Sequence, residues 1–134
     1  MIEFQFIETP SINLAYVKEW YDLICDKEGK QLGSITVVLG TDDWLLEQNK
    51  LYLNHDYYTD IITFDYSEGS IISGDLLISI DRVYDNASIY NVSRETELNR
   101  VIVHGLLHLL GYKDESEEEL KLMREKEDYY LSLL

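Results

Sequence analysis

An apolar segment, residues 101–110, carries two histidines, His104 and His108. Its apolar side chains occupy every side of a helical turn, and a helix that is hydrophobic all round must be buried. Buried imidazole rings need partners for both of their nitrogens. The segment therefore predicts a central buried helix, and it leaves open whether the histidines bond to protein groups or to a metal ion.

The rest of the chain predicts an α+β fold in the order β-α-β-α-β-β-α-α-α, with a four-stranded sheet that the central helix covers on one face. Alternating or β-branched runs predict the strands at residues 2–7, 34–40, 59–66 and 74–81. Capping residues and helical spacing predict five helices: from the cap Ser11 to Gly29, after Thr41, and at residues 82–90, 94–110 and 115–134. In the last helix, Leu120, Met123 and Tyr130 are predicted to face inward.

Length and composition predict a single domain, residues 1–134, because a chain of this length can bury one sizeable core. The single cysteine, Cys25, excludes an internal disulfide and favours a cytoplasmic protein. No apolar run is long enough for a signal peptide or a membrane span, so we expect no membrane partner.

The formal net charge of −15 repels phosphate at long range, which argues against DNA or an anionic membrane as a partner. The net charge does not exclude a small basic patch on the surface. The charge is compatible with a protein that collects cations, and equally with one that is simply soluble.

A metal site is favoured by the pattern H-x-x-x-H-x-x-G-x-x-D, from His104 to Asp114. Residues four apart share one helix face, about 6 Å apart at Cβ, so His104 and His108 can bind one ion. Gly111 lets the chain reverse, and Asp114 follows where metzincin-type sites place a third ligand. Three ligands leave a position for water, as in catalytic zinc sites. The alternatives are two core histidines with protein partners, and an Asp114 that only caps the last helix.

The residue after the first histidine excludes a protease of the zincin type. Such enzymes carry a glutamate there as general base, and this chain has Gly105. Glycine inside a helix costs about 1 kcal/mol relative to alanine. We therefore expect another backbone, from a strand beneath the helix, to approach closely at Gly105.

The segment VIVHGLLHLLGYKD, residues 101–114, resembles the signature H-G-x-L-H-L-x-G-Y-D-H of the YbeY-type rRNA maturation factors. TDIITFDY, residues 59–66, is similar to the T-N-V-L-S-F strand of that family, and SGDLLISID, residues 73–81, to its G-D-I-x-I strand. The predicted order of elements agrees over nearly the whole chain.

The resemblance implies a metal-dependent endoribonuclease specific for single strands, which acts in small-subunit rRNA maturation and ribosome quality control. It implies one divalent metal ion, with zinc the expected one, and a water on that ion as part of the catalytic group. The implied partners are single-stranded RNA or rRNA and the ribosomal small subunit or its proteins. The alternatives are a metal-stabilised ribosome-assembly factor with little or no nuclease activity and, third, a different metallohydrolase.

Carried over by position, His104 and His108 match the family's first two metal ligands, and Asp114 stands where the family usually has a third histidine. The family motif Y-R-x-K-D reads YLNHD here, so Leu53 replaces a functionally important arginine and His55 stands at the lysine position.

A cation for the RNA phosphates must then come from elsewhere in the chain. His55 is a candidate for substrate binding and for catalysis, and Arg82 is a second candidate for substrate binding. Arg94 and Arg100 are further possibilities, and His55 is equally compatible with a loop residue that has no role.

Overall fold

The computed structural model describes residues 1–134 and contains the predicted elements in the predicted order. The α+β fold with a four-stranded mixed sheet is therefore confirmed. The elements are β1 (Ile2–Phe6), α1 (Val17–Lys27), β2 (Gln31–Gly40), α2 (Asp42–Leu53), β3 (Ile61–Asp65), β4 (Ile71–Ser79), α3 (Ile80–Tyr90), α4 (Arg94–Leu109) and α5 (Glu117–Leu131).

The sheet has the strand order β1-β2-β4-β3, so β1 and β3 form its edges. β1 pairs with β2 and β2 with β4 in parallel, whereas β3 and β4 form an antiparallel hairpin. Gly69 in the hairpin turn has a φ of 59°, in the left-handed region that favours glycine. The hairpin places the start of β3 beside α4, which packs against β3 and β4.

Both faces of the sheet are covered, as the alternation of β4 requires. Leu76 and Ile78 point into the main core with α1 and α4. Leu77 points to the opposite face, where it packs with Ile62 and with Leu45 of α2. The central helix α4 lies in the main core as predicted. No helix in the structure combines the length and the apolar character needed to cross a bilayer.

The predicted start of the first helix was wrong. Ser11 does not cap it; α1 begins after Tyr16, which makes no side-chain cap. The Oδ1 of Asn13 accepts a hydrogen bond from the N–H of Ala15. Such a local turn competes with a helix, so residues 11–16 cross onto the core before α1 starts.

Among the other boundaries that differ from the predicted ones, three have a clear cause in the structure. β2 and β4 begin earlier, at Gln31 and Ile71, because these residues pair with each other across the parallel ladder. Helix α3 begins at Ile80, because the hydroxyl of Ser79 caps it by accepting from the N–H of Arg82. The pairing of β2 with β4 is a tertiary fact that a local pattern does not contain, whereas the Ser79 cap is a local signal that sequence reasoning missed.

In α5, Met123 and Tyr130 are buried as predicted, but Leu120 is 50% exposed, so its inward assignment was wrong. It lies in the first turn of α5, which overhangs a cavity instead of packing on the core.

The sequence predicted a close approach of another backbone at Gly105, and the structure shows a close approach of side chains instead. A Cβ there would meet side-chain atoms of Ile61 and Leu76, at 2.8 and 2.9 Å, and not a backbone.

We expect Gly74→Ala to lower the free energy of unfolding by about 1–3 kcal/mol. A Cβ at Gly74 would lie 2.4 Å from the carbonyl oxygen of Phe64, a backbone atom that the β3–β4 pairing holds in place. Gly105→Ala is the matched comparison and should cost less, because the atoms it meets are the mobile ends of side chains and alanine favours the helix. Urea unfolding of both variants measures the difference. Equal losses would contradict this account of the sheet.

Candidate metal centre

The loop after α4 is shaped by the end of that helix. Gly111 has a φ of 102° and turns the chain back. The N–H groups of Gly111 and Tyr112 donate to the carbonyl oxygens of His108 and Leu107, which is the Schellman pattern of a glycine-terminated helix. This closure places Asp114 beside the last turns of α4.

Three side-chain atoms converge at this point. The Nε2 atoms of His104 and His108 lie 3.0 Å apart. The Oδ2 of Asp114 lies 3.3 Å from the Nε2 of His104 and 3.3 Å from that of His108. We call these three residues the candidate metal centre. All three side chains are partly exposed, so a ligand has access from solvent.

The donor set of the candidate metal centre can hold a metal ion. Zinc takes imidazole nitrogen and carboxylate oxygen at about 2.0–2.2 Å in tetrahedral geometry, which separates neighbouring ligand atoms by about 3.3–3.5 Å. The observed separations of 3.0–3.3 Å are close to that spacing. Two imidazoles and one carboxylate also leave a fourth position for water or substrate.

Glu127 of α5 orients the first histidine. Its Oε2 accepts a hydrogen bond from the Nδ1 of His104 at 2.7 Å, and its Oε1 accepts one from Arg100 at 2.9 Å. With Nδ1 as the donor, the Nε2 of His104 carries the lone pair that a metal needs. Burial acts to raise the pKa of Glu127, but its hydrogen bonds to His104 and Arg100 outweigh burial and lower that pKa.

Sequence reasoning missed Glu127, although a signal for it exists. The residue follows Met123 by four positions and precedes Tyr130 by three. Both of these are buried on the inner face of α5, and Glu127 is only 5% exposed. A carboxylate in an apolar helical stripe indicates a buried partner.

The alternative role for Asp114, a cap on the last helix, is taken by another residue. Ser116 caps α5, with its hydroxyl accepting from the N–H of Glu119 and the side chain of Glu119 accepting from the N–H of Ser116. This capping box leaves Asp114 free to face the histidines.

The candidate metal centre opens into a cavity of about 450 Å³ beside the edge strand β3. Both His55 and Leu53 line this cavity. The His55 ring stacks on Tyr57, with centroids 5.1 Å apart, and its Nδ1 lies 2.9 Å from the Tyr57 hydroxyl. Asp60 also lines this cavity and is a second residue that sequence reasoning missed. Burial raises the pKa of Asp60, although the charge of the nearby His104 acts to lower it.

The arginine candidates lie elsewhere or are already paired. Arg82 bonds to Asp42 at 2.8 Å and to Asp85 at 3.3 Å, and it lines neither this cavity nor its neighbour. Arg94 lies over the ring of Tyr84. Of the four candidate cations, His55 is therefore the one that lines the cavity of the candidate metal centre, while Arg100 acts through Glu127.

Comparison with known proteins places the chain in a family. Residues 5–134 match the family described as Endoribonuclease YbeY. The chain is 44% identical to the Endoribonuclease YbeY of Parabacteroides distasonis, over 96% of this chain and 90% of that protein. It is 49% identical to that of Azobacteroides pseudotrichonymphae, over 89% and 86%.

A solved structure agrees with this assignment. The solution structure of TM1509 from Thermotoga maritima superposes with a TM-score of 0.68 and 30% identity, over 95% of this chain and 85% of that chain. The fold, the HGLLHLLGYKD segment and the matches over nearly the whole chain agree, and the chain belongs to the Endoribonuclease YbeY family.

Proposed function

We propose that residues 1–134 form one domain that cleaves single-stranded RNA as a metal-dependent endoribonuclease and acts in the maturation of small-subunit ribosomal RNA. The observation that carries the proposal is the convergence of His104 Nε2, His108 Nε2 and Asp114 Oδ2 in a member of the YbeY family. These three residues are the proposed metal ligands, and the proposed ion is a single Zn²⁺, which two imidazoles and a carboxylate suit.

A bound divalent ion supplies a Lewis acid for the phosphodiester. The residues of this chain supply position and charge. Glu127 holds His104 in the tautomer whose Nε2 faces the ion, and Arg100 fixes Glu127 from the other side. His55, when protonated, provides the cation for a phosphate group on the same cavity, and Tyr57 holds the His55 ring by stacking.

Single-stranded RNA suits this region because exposed aromatic rings lie in the cavity, at Tyr57, and near it, at the end of α2 and just after β3. Tyr52, Tyr57 and Tyr66 are each more than half exposed. Unpaired bases stack on such rings, whereas a duplex keeps its bases away from them. The net charge of −15 means that binding to rRNA depends on neutralising partners, for which we propose the ribosomal small subunit or its proteins.

One observation favours the alternative, an assembly factor with little or no nuclease activity. Leu53 lines the cavity where the family motif places a functionally important arginine. The nuclease remains the better supported function, because the similar proteins from Parabacteroides distasonis and Azobacteroides pseudotrichonymphae are named endoribonucleases.

Metal-loaded protein incubated with single-stranded rRNA fragments tests the proposal. We expect cleavage by the wild type and by Glu95→Gln, an exposed control on the same helix, and none by His104→Ala. Co-sedimentation with small subunits is measured in parallel. Binding to subunits without cleavage by the wild type would contradict the nuclease and support the assembly factor.

A separate prediction concerns His55. His55→Ala removes a ring that lines the cavity of the candidate metal centre. We expect this variant to bind a single-stranded RNA more weakly than the wild type does, whereas Glu95→Gln should bind it as tightly. Equal affinities of the wild type and His55→Ala would remove His55 from the RNA site.

A further inference from the structure

A second cavity lies beside the candidate metal centre, and Glu127 and Arg100, which orient His104, form part of its wall. Its volume is about 180 Å³, it opens to solvent, and it is lined by Asp60 and by side chains of α3, α4 and α5. His104 and Asp60 line both cavities, so the two adjoin at the first metal ligand. It is smaller than a site for a drug-sized ligand and suits one small planar group.

The feature of this cavity that needs explanation is Glu97. Its side chain lines the cavity, is 5% exposed, and has no hydrogen-bond or ion-pair partner in the protein. Arg100 lines the cavity too, but its Nη1 and Nη2 donate to Glu127 and Asp128. Burial raises the pKa of Glu97, which reflects the cost of a carboxylate without donors. The one fully enclosed side-chain polar atom without a partner is the Nε of Arg82, so the oxygens of Glu97 are open to the cavity, where a bound group can donate to them.

The other walls suit a flat ring with polar edges. Val101, Leu120 and Met123 give the cavity an apolar surface. Asn86 and Arg124 add hydrogen-bond donors, and the Arg124 side chain is 62% exposed, at the rim.

A second metal ion would fit this cavity poorly. Two arginines line the cavity, and the candidate metal centre is the one group of three or more acidic or histidine side chains close enough to share an ion.

We propose that this cavity binds a guanine base of the RNA strand, next to the phosphate held at the metal centre, with Glu97 as the reader of the base. This proposal rests on the proposed function. A carboxylate offers two neighbouring acceptors, and guanine alone among the RNA bases presents two neighbouring donors, N1–H and the N2 amino group. Adenine and cytosine place an acceptor beside their amino group, and uracil flanks its one N–H with two carbonyls. Asn86 and Arg124 then face the acceptor edge of the guanine, O6 and N7.

Binding of nucleotides tests the proposal without any need for cleavage. GMP, AMP, CMP and UMP are titrated in turn into metal-loaded protein, and backbone amide shifts are followed by NMR. We expect GMP to shift amides around Glu97, Val101 and Met123 and to bind at least about tenfold more tightly than the other three, as a bidentate contact implies. Glu97→Gln should remove that preference, and Glu95→Gln, two residues away on the same helix and exposed, should keep it. Equal binding of the four nucleotides, or shifts confined to the metal centre, would overturn the proposal.

Cleavage then separates this inference from the proposed function. The substrates are uridine oligoribonucleotides with one guanosine moved along the chain. We expect the wild type to cut at a fixed distance from the guanosine, and the ratio of guanosine-directed to other cuts to fall toward one in Glu97→Gln. Cleavage at positions unrelated to the guanosine would contradict the guanine site and support the nuclease. GMP binding through Glu97 without any cleavage would support the guanine site and contradict the nuclease. If Glu97→Gln fails to fold, Asn86→Ala on a different helix should weaken the same preference.

Discussion

Asp114→Ala should weaken zinc binding by more than about 100-fold, since loss of even an outer partner of a metal ligand typically costs about 10- to 100-fold. The carboxylate oxygen of Asp114 lies 3.3 Å from the Nε2 atoms of both His104 and His108. Without it, two imidazoles remain, and a two-ligand site holds a divalent ion weakly. Titration of zinc against a competing chelator measures the affinity of each variant.

Two controls separate a lost ligand from a damaged helix. Ser116→Ala removes the capping box of α5 and should cost about 1 kcal/mol of stability while metal affinity is kept. Asp114→His should retain the ion, because imidazole is an equally competent zinc ligand. If Asp114→Ala binds zinc as tightly as the wild type does, the three-ligand site is wrong.

Glu127→Ala should destabilise the protein by about 3 kcal/mol, the low end of the range for removing one partner of a buried ion pair. The carboxylate accepts hydrogen bonds from His104 and Arg100, and its removal leaves both groups in a partly buried place with one partner fewer. Zinc affinity should fall by about 10- to 100-fold as well, because His104 loses the group that orients it.

Asp128→Ala is the matched control for Glu127→Ala, since Asp128 bonds to the other nitrogen of the same Arg100 from the surface. An exposed pair of this kind contributes about 1 kcal/mol or less. Urea unfolding of both variants, with and without zinc, gives the loss in the free energy of unfolding for each variant relative to the wild type. A loss in Glu127→Ala no larger than that in Asp128→Ala would show that Glu127 does not hold the site together.

The arrangement of the candidate metal centre could be predicted from the sequence because its parts are local. His104 and His108 are related by one helical turn, and Gly111 sets the reversal that brings Asp114 back. These relations depend on helix geometry and a glycine turn, which short patterns encode.

The supporting residues could not be predicted in the same way, because their positions depend on how distant elements pack. Glu127 reaches His104 across 23 residues, through the packing of α5 on α4. Arg82 was a reasonable candidate for the phosphate, yet it is paired with Asp42, 40 residues away. Charge alone does not indicate which of several arginines is already neutralised by a partner in the fold.

The fold shows the same division between local and distant information. Alternating or β-branched runs, helical spacing and capping residues along the chain were sufficient to give the order of elements. The start of α1 and the first residues of β2 were not, because an asparagine turn and a parallel neighbour decide them. Local propensity is overridden where a residue gains a partner from another part of the chain.

The most direct test of the central claim is the metal content of the protein, purified without chelators and without added metal. Elemental analysis should find one divalent ion per chain, with zinc the prevailing element, and the same analysis of His104→Ala should find little. A content well below one ion per chain that does not rise when zinc is supplied would contradict the metal centre, and with it the proposed nuclease.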